Sequence, residues 1–252
     1  TWSSAGTEAY SIGGLFVADS AASVAPANST FTFTATTTGK SITATNTLTF
    51  YNLAFSGAAG AWSIPGVSTT SNDLTISAGT LTLPAATIAV GGSFNTSGGT
   101  FIAQGGTVQF TATASGKSIR SGSSSFWNTL FSGVGGGWTY LDTNSTTSGT
   151  TTLTAGTLTL PTGVYAEGKS FDNQSGTVTA NGGTLKMIST STGQTIRLSG
   201  SSLANFAVAA TGSFQFLDSY ATTTGDVSLT FGTTTFPYAA LTVGGSFANS
   251  AV

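Results

Sequence analysis

Phe50-Tyr51-Asn52-Leu53-Ala54-Phe55-Ser56-Gly57 returns as Phe126-Trp127-Asn128-Thr129-Leu130-Phe131-Ser132-Gly133. A looser third copy runs Leu203-Ala204-Asn205-Phe206-Ala207-Val208. The central Asn stands at positions 52, 128 and 205, so its spacings are 76 and 77. A period of this length is the signature of a repeat architecture and takes precedence over any local reading of secondary structure.

Four further landmarks keep the same spacing. Gly39-Lys40-Ser41-Ile42 recurs as Gly116-Lys117-Ser118-Ile119 and as Gly193-Gln194-Thr195-Ile196, at 116 − 39 = 77 and 193 − 116 = 77. Ala78-Gly79-Thr80-Leu81-Thr82-Leu83-Pro84 matches Ala155-Gly156-Thr157-Leu158-Thr159-Leu160-Pro161. Trp62 and Trp138 stand 76 apart, and Phe16, Phe94, Phe171 and Phe247 follow one another by 78, 77 and 76. The chain therefore reads as a partial repeat over 1–28, two full repeats over 29–105 and 106–182, and a third, incomplete one over 183–252.

Within a repeat, apolar residues alternate with Thr and Ser over runs of four to six residues, and Gly pairs such as Gly91-Gly92, Gly98-Gly99 and Gly105-Gly106 punctuate the runs. Strand and turn in alternation is the reading this pattern supports. Thr, Phe, Val and Ile dominate while helix formers are sparse, which makes the chain all-β. Short strands stacked coil on coil, with apolar side chains inward and hydroxyls outward, give a parallel β-solenoid. A coil of three strands takes on the order of 25 residues, so each repeat is expected to hold about three coils. The alternative is a string of β-sandwich domains, one per repeat.

Only 6% of the residues are charged and the net charge is −2, while 39% are hydrophobic. Such a chain folds, and Thr, Ser, Asn and Gly must cover its surface. Six scattered basic residues give no phosphate-tracking stripe, so nucleic acid is excluded as a partner, as is insertion into a membrane for want of a long apolar span. Cysteine and histidine are both absent. Disulfides, thiolate metal sites and Ser-His-Asp or Cys-His catalysis go with them.

The motifs Phe-x-Asn-Leu-x-Phe-Ser-Gly, Ala-Gly-Thr-Leu-Thr-Leu and Gly-Gly-Ser-Phe resemble those of the large secreted β-strand-repeat proteins of bacteria, similar in style to filamentous-haemagglutinin-like adhesins. The resemblance covers the chain from Gly13 onward. It implies a right-handed parallel β-helix, an extracellular or cell-surface location and a structural role in a fibre, filament or surface layer, or alternatively an adhesin that binds glycans or surfaces. No functional residue is carried over by it.

No catalytic set emerges from the acids Glu8, Asp19, Asp73, Asp142, Glu167, Asp172, Asp218 and Asp226. Asp142 and Asp218 both follow a Leu and lie 76 apart, at one repeat position, where turn-capping is the reading to expect. The chain is read as a non-enzyme without cofactor or metal. Trp62, Trp127 and Trp138 are the candidate glycan-stacking side chains, since an exposed indole face suits the apolar face of a sugar, while the Trp62/Trp138 pair, placed after a Gly-rich turn at one repeat position, reads alternatively as core-capping. Phe94 and Phe171 are expected to point inward and fill one layer each. Phe16 and Phe247 differ in position by 247 − 16 = 231, three times 77. The ends thus share one phase, which predicts continuation into further repeats or head-to-tail self-association.

Overall fold

The computed structural model describes residues 2–19, 24–45, 47–66 and 68–250. It is all-β, and its strands pair in parallel as the stacked coils of a β-solenoid. Two compact units divide it: residues 1–112 with 117–127 form unit 1, and residues 113–116 with 128–252 form unit 2.

In unit 1, one side of the solenoid is the sheet of 48–50, 68–70, 87–90 and 107–110. A second side holds 9–12, 30–33, 52–55, 74–76, 94–95 and 117–120, and a third holds 16–18, 40–44, 61–63, 80–82 and 100–102. Unit 2 repeats the plan. Its first side runs 128–131, 151–153, 171–173, 194–197, 213–216 and 233–235, and its third runs 145–147, 164–167, 184–187, 205–208, 227–229 and 247–249. Between them lie 137–140, 157–159 and 177–179, followed by a separate three-stranded sheet of 202–203, 220–223 and 240–243. Parallel neighbours one coil apart leave no place for the hairpins of a sandwich, so the tandem-sandwich alternative is overturned.

Register fixes the coil length. Leu48 pairs with Ser68, Ser68 with Ile88 and Ile88 with Val108, each a step of 20. Other steps are wider: Phe94 pairs with Ile119 and Phe171 with Ile196, a step of 25 in both cases. The wide steps are the corners that end in the Gly-Lys-Ser-Ile landmark and its third version. Gly39, Gly116 and Gly193 take φ of +74°, +81° and +75° there, with no atom within 4 Å of where a Cβ would stand. Conformation, not space, selects glycine at these three corners.

The expectation of about three coils per repeat is corrected by a strand count. Among the described residues, Phe16 lies in the third strand and Phe94 in the fourteenth, a difference of 14 − 3 = 11. Phe171 and Phe247 lie in the twenty-fourth and thirty-fifth, again 35 − 24 = 11, while from Phe94 to Phe171 the count is 24 − 14 = 10 because the coil through Phe126 has a single bridge in place of its third strand. Eleven strands make three coils and two-thirds of a fourth, so most coils are shorter than expected, in keeping with the register steps of 20. Because 11 is not a multiple of 3, equivalent residues change sides. Phe16 and Ile42 are on the third side of unit 1, whereas Phe94 and Ile119 are on the second. In unit 2 the same holds for Asn128 on the first side and Asn205 on the third.

The interior is built from the alternation. Phe33, Phe55 and Trp62 are buried in unit 1, with Phe33 stacked on Phe55 at 5.2 Å between ring centres and Phe55 tilted onto Trp62 at 5.4 Å. Phe94 and Phe171 are buried, as expected from the glycine turns before them. Rings so arranged add about 0.5–1.5 kcal/mol per pair beyond the area they bury.

Candidate functional site

Trp62 and Trp138 do not form a surface platform: both are 1% exposed. The cause is glycine. A Cβ on Gly79 would stand 3.0 Å from the Trp62 ring and 2.6 Å from the carbonyl oxygens of Gly57 and Gly60. One on Gly156 would stand 2.8 Å from the Trp138 ring, 2.7 Å from the Gly136 carbonyl and 2.9 Å from that of Gly133. Both glycines are left-handed, at φ of +73° and +81°. Gly79 and Gly60, whose Cβ would meet the Trp62 ring, and Gly156 at the other corner thus leave the room that an indole fills, and Trp138 lies on Phe131 as Trp62 lies on Phe55. Trp127 is the one of the three candidates with a surface face, 38% exposed at the bend before strand 128–131.

The central Asn of the opening landmark has a structural task. Asn52 Oδ1 accepts the Asp73 amide at 3.3 Å and the Asn72 side-chain amide at 2.9 Å, both from the next coil. Asn128 accepts the Thr150 amide and Asn205 the Asp226 amide, each at 2.9 Å. Corner amides that the sheets leave unpaired are satisfied in this way. Aspartates continue the device: Asp73 accepts Ser93 N at 2.7 Å, Asp226 accepts Ser246 N at 2.8 Å, and Asp218 takes the amides of Leu198 and Ser199. Asp172 instead faces Arg197 at 3.4 Å. Asp73, Asp218 and Asp226 are thus occupied in holding corners, and Asp172 in an ion pair between neighbouring strands.

A different group of side chains meets inside unit 2. The Tyr165 hydroxyl lies 2.8 Å from Thr147 Oγ1, 2.8 Å from Thr151 Oγ1 and 3.4 Å from the Tyr140 hydroxyl, and Thr129 Oγ1 donates to Thr151 Oγ1 at 3.1 Å. Glu167, two positions along the strand from Tyr165 and fully buried, completes the cluster. Neither of its carboxyl oxygens has a partner of full hydrogen-bond geometry. Burial raises the Glu167 carboxyl well above its ordinary range, and the Thr151 hydroxyl with the amides of Lys169 and Thr151 offsets this only in part. Burial likewise pushes the Tyr165 hydroxyl up to about 12 and raises that of Tyr140, with negative charge on the neighbouring groups adding to both. Glu167 was legible only as one acid among eight. The signal lies in aligning the copies, where Val164-Tyr165-Ala166-Glu167-Gly168 replaces Thr87-Ile88-Ala89-Val90-Gly91.

On the surface of unit 2, Tyr220 and Tyr238 are 69% and 97% exposed. Tyr238 borders a hollow lined also by Gln215, Leu217, Asp218 and Pro237. Among the described residues no three acidic, histidine or cysteine side chains converge as a metal site would require, and no helix is long and apolar enough to cross a membrane. No family model, no curated protein and no solved structure matches this chain.

Proposed function

We propose that the chain is a stacking segment of an extracellular bacterial surface fibre, filament or surface layer, and that its working interaction is coil upon coil. The observation that carries this reading is the coil-on-coil parallel pairing, by which each coil offers the next a full row of backbone groups and an apolar layer, and the last described coil shows what that face presents. Among the described residues, its strands 233–235, 240–243 and 247–249 each stand at the end of a sheet, with one row of backbone groups not engaged by a further strand. Its inward-register residues Phe236, Leu241 and Val243 are only half-buried, and Phe247 is exposed. Such an edge recruits another strand and another apolar layer. The sequence of that coil, Thr242-Val243-Gly244-Gly245-Ser246-Phe247, has the pattern of Ser11-Ile12-Gly13-Gly14-Leu15-Phe16 in the first. A following repeat or a second copy of the chain offers the matching layer in either case, and a copy adding head to tail makes an open filament. The low charge and the absence of Cys and His support an exported location.

Sedimentation and electron microscopy of the purified chain test the reading. Concentration-dependent linear assemblies are expected. A monodisperse particle up to millimolar concentration, with amides of 240–249 protected from exchange, would overturn it.

A second reading, an adhesin, has its support in an exposed ring. Tyr238 and Leu217 offer apolar faces in one hollow with Gln215, the combination that holds a sugar by stacking and by hydrogen bonds. Retention on a glycan array that is lost in Tyr238→Ala would favour it.

A further inference from the structure

We infer that the interior of unit 2 is an acid-stabilised latch: the coils around Glu167 hold together with this carboxyl as the neutral acid, and they loosen as rising pH drives it to ionise, while the corresponding layers of unit 1 carry no such group.

The geometry supports this in three ways. Strand 164–167 lies between strands 145–147 and 184–187, with Thr147 opposite Glu167 on one flank and Met187 opposite it on the other. Met187 is fully buried, so that flank offers no polar atom beyond a thioether. Across the interior stand Tyr140, Thr151 and Phe171, all buried. The titratable groups that face Glu167 are therefore Tyr140 and Tyr165, and neither supplies positive charge. The nearby charged residues Asp172 and Lys186 occupy the outward positions of strands whose alternate residues are buried, and Arg197, paired with Asp172, is outward as well. Lys169 sits in the corner after the strand and contributes its backbone amide.

An ionised carboxylate in such a place has neither a cation nor a full set of donors, and its desolvation is not offset. The protonated acid is a donor and an acceptor, and it suits a layer of hydroxyls. Since the folded state binds this proton more tightly than the unfolded chain does, the contribution is fully present below the ordinary carboxyl range and is lost as pH rises through the higher folded-state value. Across that window each pH unit moves the folding equilibrium up to about tenfold toward the open state. The tyrosine hydroxyls act with the same sign only above pH 10, their window reaching to about 12 for Tyr165.

The test is equilibrium unfolding of the full chain between pH 4 and pH 9, followed through near-ultraviolet tyrosine dichroism, for the native protein and for Glu167→Gln. The native unfolding constant should rise at least tenfold between pH 5 and pH 8, and Glu167→Gln should flatten that rise while matching the native protein at pH 4. An equal slope in the variant, or no slope in the native chain, overturns the inference. Should Glu167→Gln fail to fold, Glu167→Val, which restores the residue found at position 90, takes its place. Infrared spectroscopy of the native chain at pH 7 gives an answer independent of any variant: a protonated-acid carbonyl band supports the latch, and its absence refutes it.

Discussion

Ser68 and Thr70 of unit 1 lie in register with Ile88 and Val90, and one repeat later Ser145 and Thr147 of unit 2 lie in register with Tyr165 and Glu167. The two strand pairs are copies of one another, and the sequence Ser-Thr-Thr is the same in both. Yet the hydroxyls of Ser68 and Thr70 are buried without a hydrogen-bond partner, whereas Thr147 meets the Tyr165 hydroxyl at 2.8 Å. Unit 1 fills the space with aromatic and aliphatic carbon: Phe94 packs against Phe101 at 5.2 Å, Phe110 at 6.5 Å and Phe126 at 5.2 Å. Unit 2 fills it with a hydroxyl network and a carboxyl. The coil scaffold accepts either, because its backbone hydrogen bonds run between coils and do not depend on what stands inside. The solenoid fixes where a side chain points, and the neighbours decide what it costs to be polar there.

The largest effect that separates the two interiors should come from deleting a ring in each. Phe94→Ala opens a hole walled by three other rings, and such a hole stays dry, so a loss of about 3–5 kcal/mol is expected. Phe171→Ala opens a hole beside Tyr165, at 6.3 Å, and Thr151, which offer hydroxyls to an entering water. Its loss should fall at the low end of that range, about 3 kcal/mol or less. Urea denaturation of the two variants decides the matter. A loss at Phe171 equal to or greater than that at Phe94 would mean that the polar lining has no bearing on how the hole relaxes.

The inward position of these two rings was legible, because alternation and a preceding glycine turn are local properties. The all-β parallel solenoid was legible for the same reason. The number of coils per repeat was not. Alternation has period two whichever side a strand belongs to, so nothing in it tells three sides from another number, and corners of different width, such as those ending at Gly116 and Gly193, blur the step. Core-capping by Trp62 and Trp138 was legible as one of two readings of a Trp after a Gly-rich turn, but what encloses the rings was not. Their enclosure depends on Gly79 and Gly156, which reach the two rings only when the chain comes round on the next coil. An aromatic after a glycine-rich turn looks the same in sequence whether the glycines expose it or enclose it. Glu167 was legible only as one acid among eight; the Val-to-Glu difference between copies is the signal that could have found it, but its meaning required the partners that the fold brings to it from Tyr140 and Thr151.

The smallest effect is also the most pointed, because one substitution at one repeat position should change sign between units. In unit 1 the Thr70 hydroxyl is desolvated without compensation, facing Val90 on one flank and Phe50 on the other. Thr70→Val removes that hydroxyl and leaves a methyl of similar size, so the protein should gain about 1 kcal/mol. In unit 2 the same change at Thr147 takes away one of the groups that satisfy the Tyr165 hydroxyl, and a loss of about 1 kcal/mol is expected. Thr151 and Tyr140 remain within reach of that hydroxyl, which is why the loss should not be larger. Combining Thr147→Val with Tyr165→Phe completes the argument, since a hydroxyl with no partner to lose should make the second change cheaper than the first, by about 0.5–1 kcal/mol of coupling. Changes of the same sign at Thr70 and Thr147, measured as shifts in the denaturation midpoint, would show that the hydroxyl network of unit 2 is a bystander and that the two interiors differ in composition alone.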